Sequence, residues 1–249
     1  MSALRARCPD CRTLTAVAVD ESYQCHSCGR TFGAGLVRVP RAWGSGGGAM
    51  AAAAAMELPW PEAAVLDEAT LDEQVEATAR TLPARPVVVG GCCCAHVGAV
   101  RALARRHGRI GVVWIDAHGD LNTRESSPSG NAWGMPLRML IDAGDVDAGD
   151  VLLLGARSLD PPEHAFIVEA GIRTEPGELP GAVYVALDCD VARPGALDVF
   201  MPEAGGPTVD ELVALLASLP RPVGAGFTGL VRSHRNEAVL PRLGEALRL

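Results

Sequence analysis

Short, mostly apolar runs alternate along the chain with segments in which apolar residues recur at helical spacing. The runs typical of buried strands are 35–40, 86–90, 110–115, 152–154, 183–187 and 223–227. Helical spacing marks 71–82, 97–106, 162–170, 209–219 and 238–247. Because strands and helices alternate, we predict a three-layer α/β/α fold with a mainly parallel sheet. In such sheets the functional groups lie at the carboxyl ends of the strands.

Two Cys-x-x-Cys pairs precede this pattern. Cys8 and Cys11 are separated by thirteen residues from Cys25 and Cys28. Four thiolates at this spacing suit one tetrahedral Zn²⁺, with a short hairpin between the pairs. The segment resembles a zinc ribbon, so we predict a small ribbon over 1–34 and an α/β domain over 35–249. Because such a zinc has a closed ligand shell, its expected role is structural or in partner contact, and not catalytic.

Composition excludes several classes of function. All 22 basic residues of the 249-residue chain are arginine, which rules out a Schiff-base lysine, a pyridoxal phosphate anchor and a Walker-loop lysine. A net charge of −8 argues against general binding to nucleic acid or to an anionic membrane. No apolar run approaches the roughly 18 residues of a membrane span, and Cys8 and Cys11 stand where a signal peptide would be apolar. We therefore expect a cytoplasmic protein whose eight cysteines are ligands or free thiols.

Acidic side chains follow two of the predicted strands. Asp116, His118 and Asp120 follow one strand, and Asp188 and Asp190 follow another. Without cations this concentration of negative charge would repel itself. Carboxylates with one imidazole suit Mn²⁺ and comparable divalent ions. The alternative is that Asp116 and Asp188 only cap helices.

Five segments carry a recognisable pattern in a fixed order: WIDAHGDLNT at 114–123, SGN at 129–131, GMP at 134–136, ALDCD at 186–190 and MPEAGG at 201–206. Together they resemble the ureohydrolase family of arginases, agmatinases and formimidoylglutamases, over residues 36–249. The resemblance implies a two-manganese site and hydrolysis of a small guanidino or amidino substrate by metal-activated hydroxide. It also implies a trimer or a hexamer.

By position in the family pattern, Asp116 and Asp188 bridge both ions. Asp120 completes the shell of one ion, and His118 with Asp190 completes that of the other. Asp120 and His118 are also the candidate catalytic residues. The resemblance further implies that substrate is bound by a larger set, namely Asn122, Ser129, Asn131, Trp133, Asp160 and Glu163. Taken alone, the serine–glycine–asparagine segment is an ordinary turn and the segment from Asp160 to Glu163 an ordinary helix start.

Three positions depart from the family pattern. Cys93 stands where the family has a ligand histidine, and a thiolate there would favour Zn, Fe, Co or Ni. Alternatively, Cys93 is an inert buried thiol. A third possibility is that His96 is the ligand after a rearrangement of the loop, and a fourth is that the three cysteines form a redox or metal-sensing cluster. Trp133 replaces a histidine that shuttles protons, and near Thr228 the carboxylate that holds a guanidinium is absent.

Two functions remain open from the sequence. The first is a metal-dependent hydrolase of C–N bonds in linear amidines or guanidino compounds. The second is a degenerate ureohydrolase-like scaffold that acts as a binding or regulatory protein through its zinc ribbon.

Overall fold

A computed structural model describes residues 5–6, 8, 11, 13–19, 22–32 and 34–249. Its N-terminal part is a four-stranded antiparallel sheet in the order β1-β2-β3-β4. These strands are β1 (Arg5–Ala6), β2 (Ala16–Val19), β3 (Ser22–Cys25) and β4 (Thr31–Phe32). The β2–β3 hairpin lies between the two cysteine pairs, as predicted. Tyr23 is buried here and stacks on Phe32 with ring centroids 5.4 Å apart.

The rest of the chain is built on a seven-stranded sheet in the order β6-β5-β7-β11-β10-β8-β9, in which every pairing is parallel. Its strands are β5 (Gly35–Val39), β6 (Glu62–Val65), β7 (Pro86–Gly90), β8 (Gly111–Ile115), β9 (Val151–Leu154), β10 (Val183–Asp188) and β11 (Gly224–Thr228). The predicted parallel sheet is therefore present.

Helices cover both faces of this sheet. They are α1 (Gly48–Ala51), α2 (Leu71–Thr81), α3 (Ala95–His107), α4 (Pro136–Asp142), α5 (Pro161–Ala170), α6 (Val209–Ser218) and α7 (His234–Ala246). Successive strand residues point to opposite faces: Val113 and Ile115 pack with α6 and α7, whereas Val112 and Trp114 pack with α2 to α5. The result is three layers with two apolar cores.

The observed elements differ from the sequence-based ones in a few places. The edge strand β6 and the short helix α4 are additional to the predicted elements. The alanine-rich run forms only one α-helical turn followed by a 3-10 turn at Ala52–Ala55. Helix α7 begins four residues earlier than expected, because the Ser233 side chain accepts the Asn236 N–H and caps the helix.

No helix in the described part of the chain is long and apolar enough to cross a membrane.

Candidate metal centre

Four neighbouring strands end at the same edge of the parallel sheet. Cys93 follows β7, Thr228 ends β11, Asp188 ends β10 and Asp116 follows β8. The strand register sets Asp188 opposite Thr228. Residues up to 135 positions apart in the sequence cannot be joined by local structure, so the sheet brings these side chains together.

The side chains form two groups with the spacing of metal ligands. In the first group, Cys93 Sγ lies 2.8 Å from Asp188 Oδ2 and 3.8 Å from Asp116 Oδ2. In the second, His118 Nδ1 lies 3.1 Å from Asp190 Oδ2 and 3.4 Å from Asp116 Oδ1. Within each group the candidate ligand atoms all lie within 4.8 Å of one another. Because Asp116 belongs to both groups, the arrangement suits two neighbouring cations that share a carboxylate.

Asp120 lies outside both groups, but its buried carboxylate is suited to binding a cation. It is 4% exposed, and its Oδ2 has no hydrogen-bond partner. Its backbone is in the left-handed region, with φ of 54°, which is unusual for a residue other than glycine. A buried carboxylate oxygen without a partner is costly, and a bound cation would remove that cost.

The electrostatics of the cluster also favour cations. Burial, and then the charge of Asp190, raise the pKa of Asp188 to about 7. Burial, and then the charge of Asp116, raise the pKa of Asp190 to about 6. Burial alone would lower the pKa of His118, but its hydrogen bonds with Asp116 and Asp190 raise that pKa to about 12. The cluster thus holds more negative charge than its protein surroundings compensate.

Asp116 and Asp188 also cap turns, so the capping alternative and the ligand assignment are compatible. Asp116 Oδ1 accepts the His118 N–H at 2.7 Å, and Asp188 Oδ1 accepts the Asp190 N–H at 3.0 Å. In both residues Oδ2 is the oxygen that faces Cys93. Capping therefore orients each carboxylate toward the cluster.

The three adjacent cysteines point in different directions. Cys93 contacts the carboxylates, whereas Cys92 and Cys94 pack in a small apolar cluster with Met50. His96 is buried behind the ligand set, where its ring nitrogens contact Tyr184 and Thr228. The geometry thus supports Cys93, and not His96, as the side chain from this segment that could hold a metal.

A cavity of about 390 Å³ opens onto the cluster. One wall is apolar: Met50, Trp133, Phe200 and Met201 line it, and the rings of Trp133 and Phe200 meet edge to face at 6.0 Å. Trp133 lies so close to Gly44 that a Cβ there would overlap its ring. The glycine-rich loop 44–48 therefore makes room for the indole.

The predicted substrate-binding residues are only partly brought together. Asn122, Ser129, Asp160 and Glu163 line the cavity, and Asn122 Nδ2 donates to Asp160 Oδ2 at 2.8 Å. Glu163 is also a structural residue: its carboxylate accepts the N–H of Leu121 and of Asp160, each at 2.9 Å.

Asn131 behaves differently from the other candidates, because its Oδ1 accepts the Ser45 N–H at 2.9 Å from the glycine-rich loop. It is not among the residues that line the cavity.

Two contacts at the cavity mouth were not predicted from the sequence. Glu203 Oε1 lies 3.4 Å from His118 Nε2, on the side of the ring away from the other carboxylates. Arg157 donates to the carbonyls of Ala204 and Asp190 and so holds the 201–206 loop against the strand ends. Glu203 belongs to the MPEAGG segment, which was part of the family pattern. The contact of its carboxylate with His118 was not predicted.

The N-terminal cysteines form a third cluster with metal-ligand spacing. The four sulfur atoms lie within 4.8 Å of one another, with Cys8 to Cys28 and Cys11 to Cys25 each at 3.5 Å. A tetrahedron with Zn–S bonds of about 2.3 Å has edges of about 3.8 Å, close to these separations. Gly29, with φ of 75°, donates its N–H to the Cys25 carbonyl at 2.8 Å and closes the second turn. The donor set therefore fits zinc.

Comparison with known proteins identifies the family of the α/β part of the chain. The model of the arginase family matches residues 48–178, which include Cys93, Asp116, His118 and Asp120. The chain belongs to the arginase family. Arginase from Staphylococcus aureus strain COL is 41% identical over 99 residues, covering 36% of this chain and 33% of that protein. Arginase from Bacillus subtilis is 39% identical over 100 residues, covering 35% and 34%. The matched part thus spans about a third of the length of these relatives.

Solved structures of the arginase family confirm the predicted fold. The crystal structure of B. subtilis arginase superposes with a TM-score of 0.73 at 21% identity, covering 86% of this chain and 97% of that chain. Formimidoylglutamase from B. subtilis gives a TM-score of 0.69 at 17% identity, covering 87% of each chain.

Proposed function

We propose that this chain is a metal-dependent hydrolase of C–N bonds in a linear amidine or guanidino compound. The observation that carries the proposal is the pair of ligand groups that share Asp116 at the floor of the cavity. The proposed ligands are Cys93, Asp116, His118, Asp120, Asp188 and Asp190. Two divalent ions held by this set would supply hydroxide at neutral pH, which a resonance-stabilised amidine carbon requires.

The metals proposed for this site are two Mn²⁺, or a borderline ion at the Cys93 position. Sulfur is a softer ligand than the oxygen atoms around it, so Ni, Co, Fe or Zn compete better beside Cys93. At the other position, His118 and the carboxylates form an oxygen-rich set that suits Mn²⁺.

The chain's own residues orient the substrate and remove its contact with water. Trp133 and Phe200 form the apolar wall on which a planar cationic group can stack. Asp160 is held in place by Asn122 and offers a carboxylate to a cationic end of the substrate. Strand β11 ends at Thr228 and is followed by Gly229, so this strand end supplies no carboxylate for a guanidinium. The missing carboxylate favours substrates that are recognised mainly by stacking and by shape.

The experiment is a turnover screen of the protein loaded in turn with manganese, cobalt, nickel and zinc. A panel of guanidino and amidino compounds is assayed for urea, ammonia and formamide. We expect product from at least one compound, and we expect Asp188→Ala to lower bound metal and turnover together. The control is Asp210→Ala, which removes an 85% exposed carboxylate paired with Arg242 and should change neither.

Two outcomes would contradict the proposal. If no compound is turned over at any metal loading, the chain is better described as a binding scaffold that acts through its N-terminal part. If Asp188→Ala retains the metal, the ligand assignment is wrong.

We also propose that Cys8, Cys11, Cys25 and Cys28 hold one structural Zn²⁺ in a ribbon that comprises residues 1–34. Cys25→Ser should remove one zinc per chain and lower the unfolding temperature of the N-terminal sheet. The number of metal ions bound at the Cys93 and carboxylate cluster should stay unchanged. Retention of that zinc would contradict the assignment. The trimeric or hexameric assembly and the cytoplasmic location stay predictions.

A further inference from the structure

A chain of hydrogen bonds runs through the core behind Cys93. Cys93 Sγ lies 3.1 Å from Thr228 Oγ1, and Thr228 Oγ1 lies 3.1 Å from His96 Nε2. His96 Nδ1 lies 3.0 Å from the Tyr184 hydroxyl. Thr228, His96 and Tyr184 are each completely buried, so no water replaces these contacts. This series of hydrogen bonds is therefore part of the folded core.

A cysteine thiolate fixes the direction of every bond in this chain. Because a metal-bound thiolate can only accept, the Thr228 hydroxyl donates to it, 3.1 Å away, in preference to the Leu187 carbonyl at 3.4 Å. That hydroxyl oxygen then accepts from Nε2–H of His96, which leaves Nδ1 as an acceptor for the Tyr184 hydroxyl. Three donors thus align toward the sulfur, and each polar atom in the chain has a partner of the right kind.

The surroundings of His96 are consistent with this arrangement. Each ring nitrogen of His96 has one hydroxyl partner, so a ring with one N–H and one acceptor nitrogen satisfies both contacts. A Cβ at position 226 would come within 2.6 Å of the His96 ring and of the Tyr184 hydroxyl oxygen. Gly226 in β11 therefore provides the space that the ring occupies. The edge of Trp114 packs against the same ring with centroids 5.3 Å apart.

We propose that Thr228, His96 and Tyr184 are positioning residues that hold the Cys93 thiolate toward the first metal position. The inference rests on the proposed function, since it needs Cys93 as a ligand. Groups that hydrogen-bond to metal ligands fix ligand orientation, and their loss weakens metal binding by about tenfold to a hundredfold. Near Thr228 the family pattern has a carboxylate that is absent from this sequence. In this proposal the Thr228 hydroxyl instead orients the metal ligand Cys93.

The test is cobalt binding, observed through the sulfur-to-cobalt charge-transfer absorption in the near ultraviolet. Cobalt bound by the N-terminal cysteines absorbs in the same region, so each spectrum is taken as a difference from Cys93→Ser, which leaves those cysteines intact. Thr228→Val removes the donor, and Thr228→Ser keeps it. Tyr184→Phe removes one hydroxyl from the far end of the chain and leaves the ring in place.

We expect Thr228→Val to weaken cobalt binding at this site by about tenfold or more and to shift the difference band. Thr228→Ser should behave as the unaltered protein, and Tyr184→Phe should shift the band in the same direction by less. Unfolding temperatures of the metal-free variants show whether each one folds. If Thr228→Val fails to fold, Tyr184→Phe decides the question.

Two results would overturn the inference, and they can be told apart. If neither Thr228→Val nor Tyr184→Phe changes the cobalt affinity or the band, the buried chain only fills the core, and the proposed hydrolase stands. If Cys93→Ser has the same spectrum as the unaltered protein, Cys93 is not a ligand, and the proposed metal site fails with the inference.

Discussion

Replacement of Gly229 by alanine should disturb the metal centre directly. Gly229 follows β11 and lines the cavity, and a Cβ built on it would overlap Asp188 Oδ1. Its φ of 70° adds a cost of its own, because a side chain in the left-handed region costs about 1–2 kcal/mol. Displacement of a packed neighbour adds about 1–3 kcal/mol. We therefore expect Gly229→Ala to lower the free energy of unfolding by about 2–5 kcal/mol.

The matched control is Gly144→Ala. Gly144 has nearly the same backbone angle, with φ of 69°, but nothing lies within 4 Å of its Cβ position. This variant should therefore show only the backbone cost of about 1–2 kcal/mol. The assay is urea unfolding of both variants, metal-free and after manganese addition, together with the metal content of the folded proteins.

The two variants should differ most in the effect of metal. Metal binding stabilises the folded state by an amount that grows with the logarithm of the metal affinity, so Gly144→Ala should keep the full stabilisation. Gly229→Ala should lose most of it, because Asp188 can no longer reach the cluster. If Gly229→Ala binds metal as tightly as Gly144→Ala, Asp188 does not act as a ligand in the orientation described here.

Four further predictions concern the same site. Metal affinity should rise with pH from about 6 up to about 12, because Asp190, Asp188 and His118 must each lose a proton before they bind metal, measured by competition with a chelating dye. In the metal-free protein the sign is opposite: the raised pKa of Asp188 means that the folded state binds more protons, so its stability should fall as pH rises from 3.8 to about 7 in thermal unfolding. Cys93→Ser should weaken zinc and cobalt binding more than manganese binding, measured by elemental analysis after equilibration with mixed metals; an equal loss for all ions would argue against a thiolate ligand. Glu163→Ala should cost about 3 kcal/mol in urea unfolding, because the buried N–H of Leu121 and the part-buried N–H of Asp160 lose their acceptor, whereas Glu163→Gln keeps one acceptor oxygen and should cost less.

The apolar strands of the parallel sheet were the most predictable elements, including β9 at one edge, whose predicted bounds differ from the observed ones by one residue. The predicted bounds of β7 agree with the structure, and those of β8 and β10 differ by one residue, because buried parallel strands are continuous apolar runs. β6 lies at the sheet edge with half-exposed residues, so it lacks that signal. α4 is only seven residues long, too short for its periodicity to stand out.

The part of the candidate site that lies at the ends of the strands was predictable from the sequence. Asp116 and Asp188 follow apolar runs, so their approach to one another follows from a parallel sheet. The contact between Cys93 and Thr228 was not predictable, because they are 135 residues apart and the order of the strands brings them together. The backbone conformation of Asp120 also has no signal in the sequence, since it depends on packing around the loop.

The most direct test of the proposed function is the number of each metal per chain. Elemental analysis of the purified protein is carried out as isolated and after incubation with manganese. We predict about one zinc plus two further divalent ions per chain, with the two further ions lost in Asp188→Ala. Zinc alone, at about one per chain, would contradict the account, because the Cys93 and carboxylate cluster would then be a site that binds no metal.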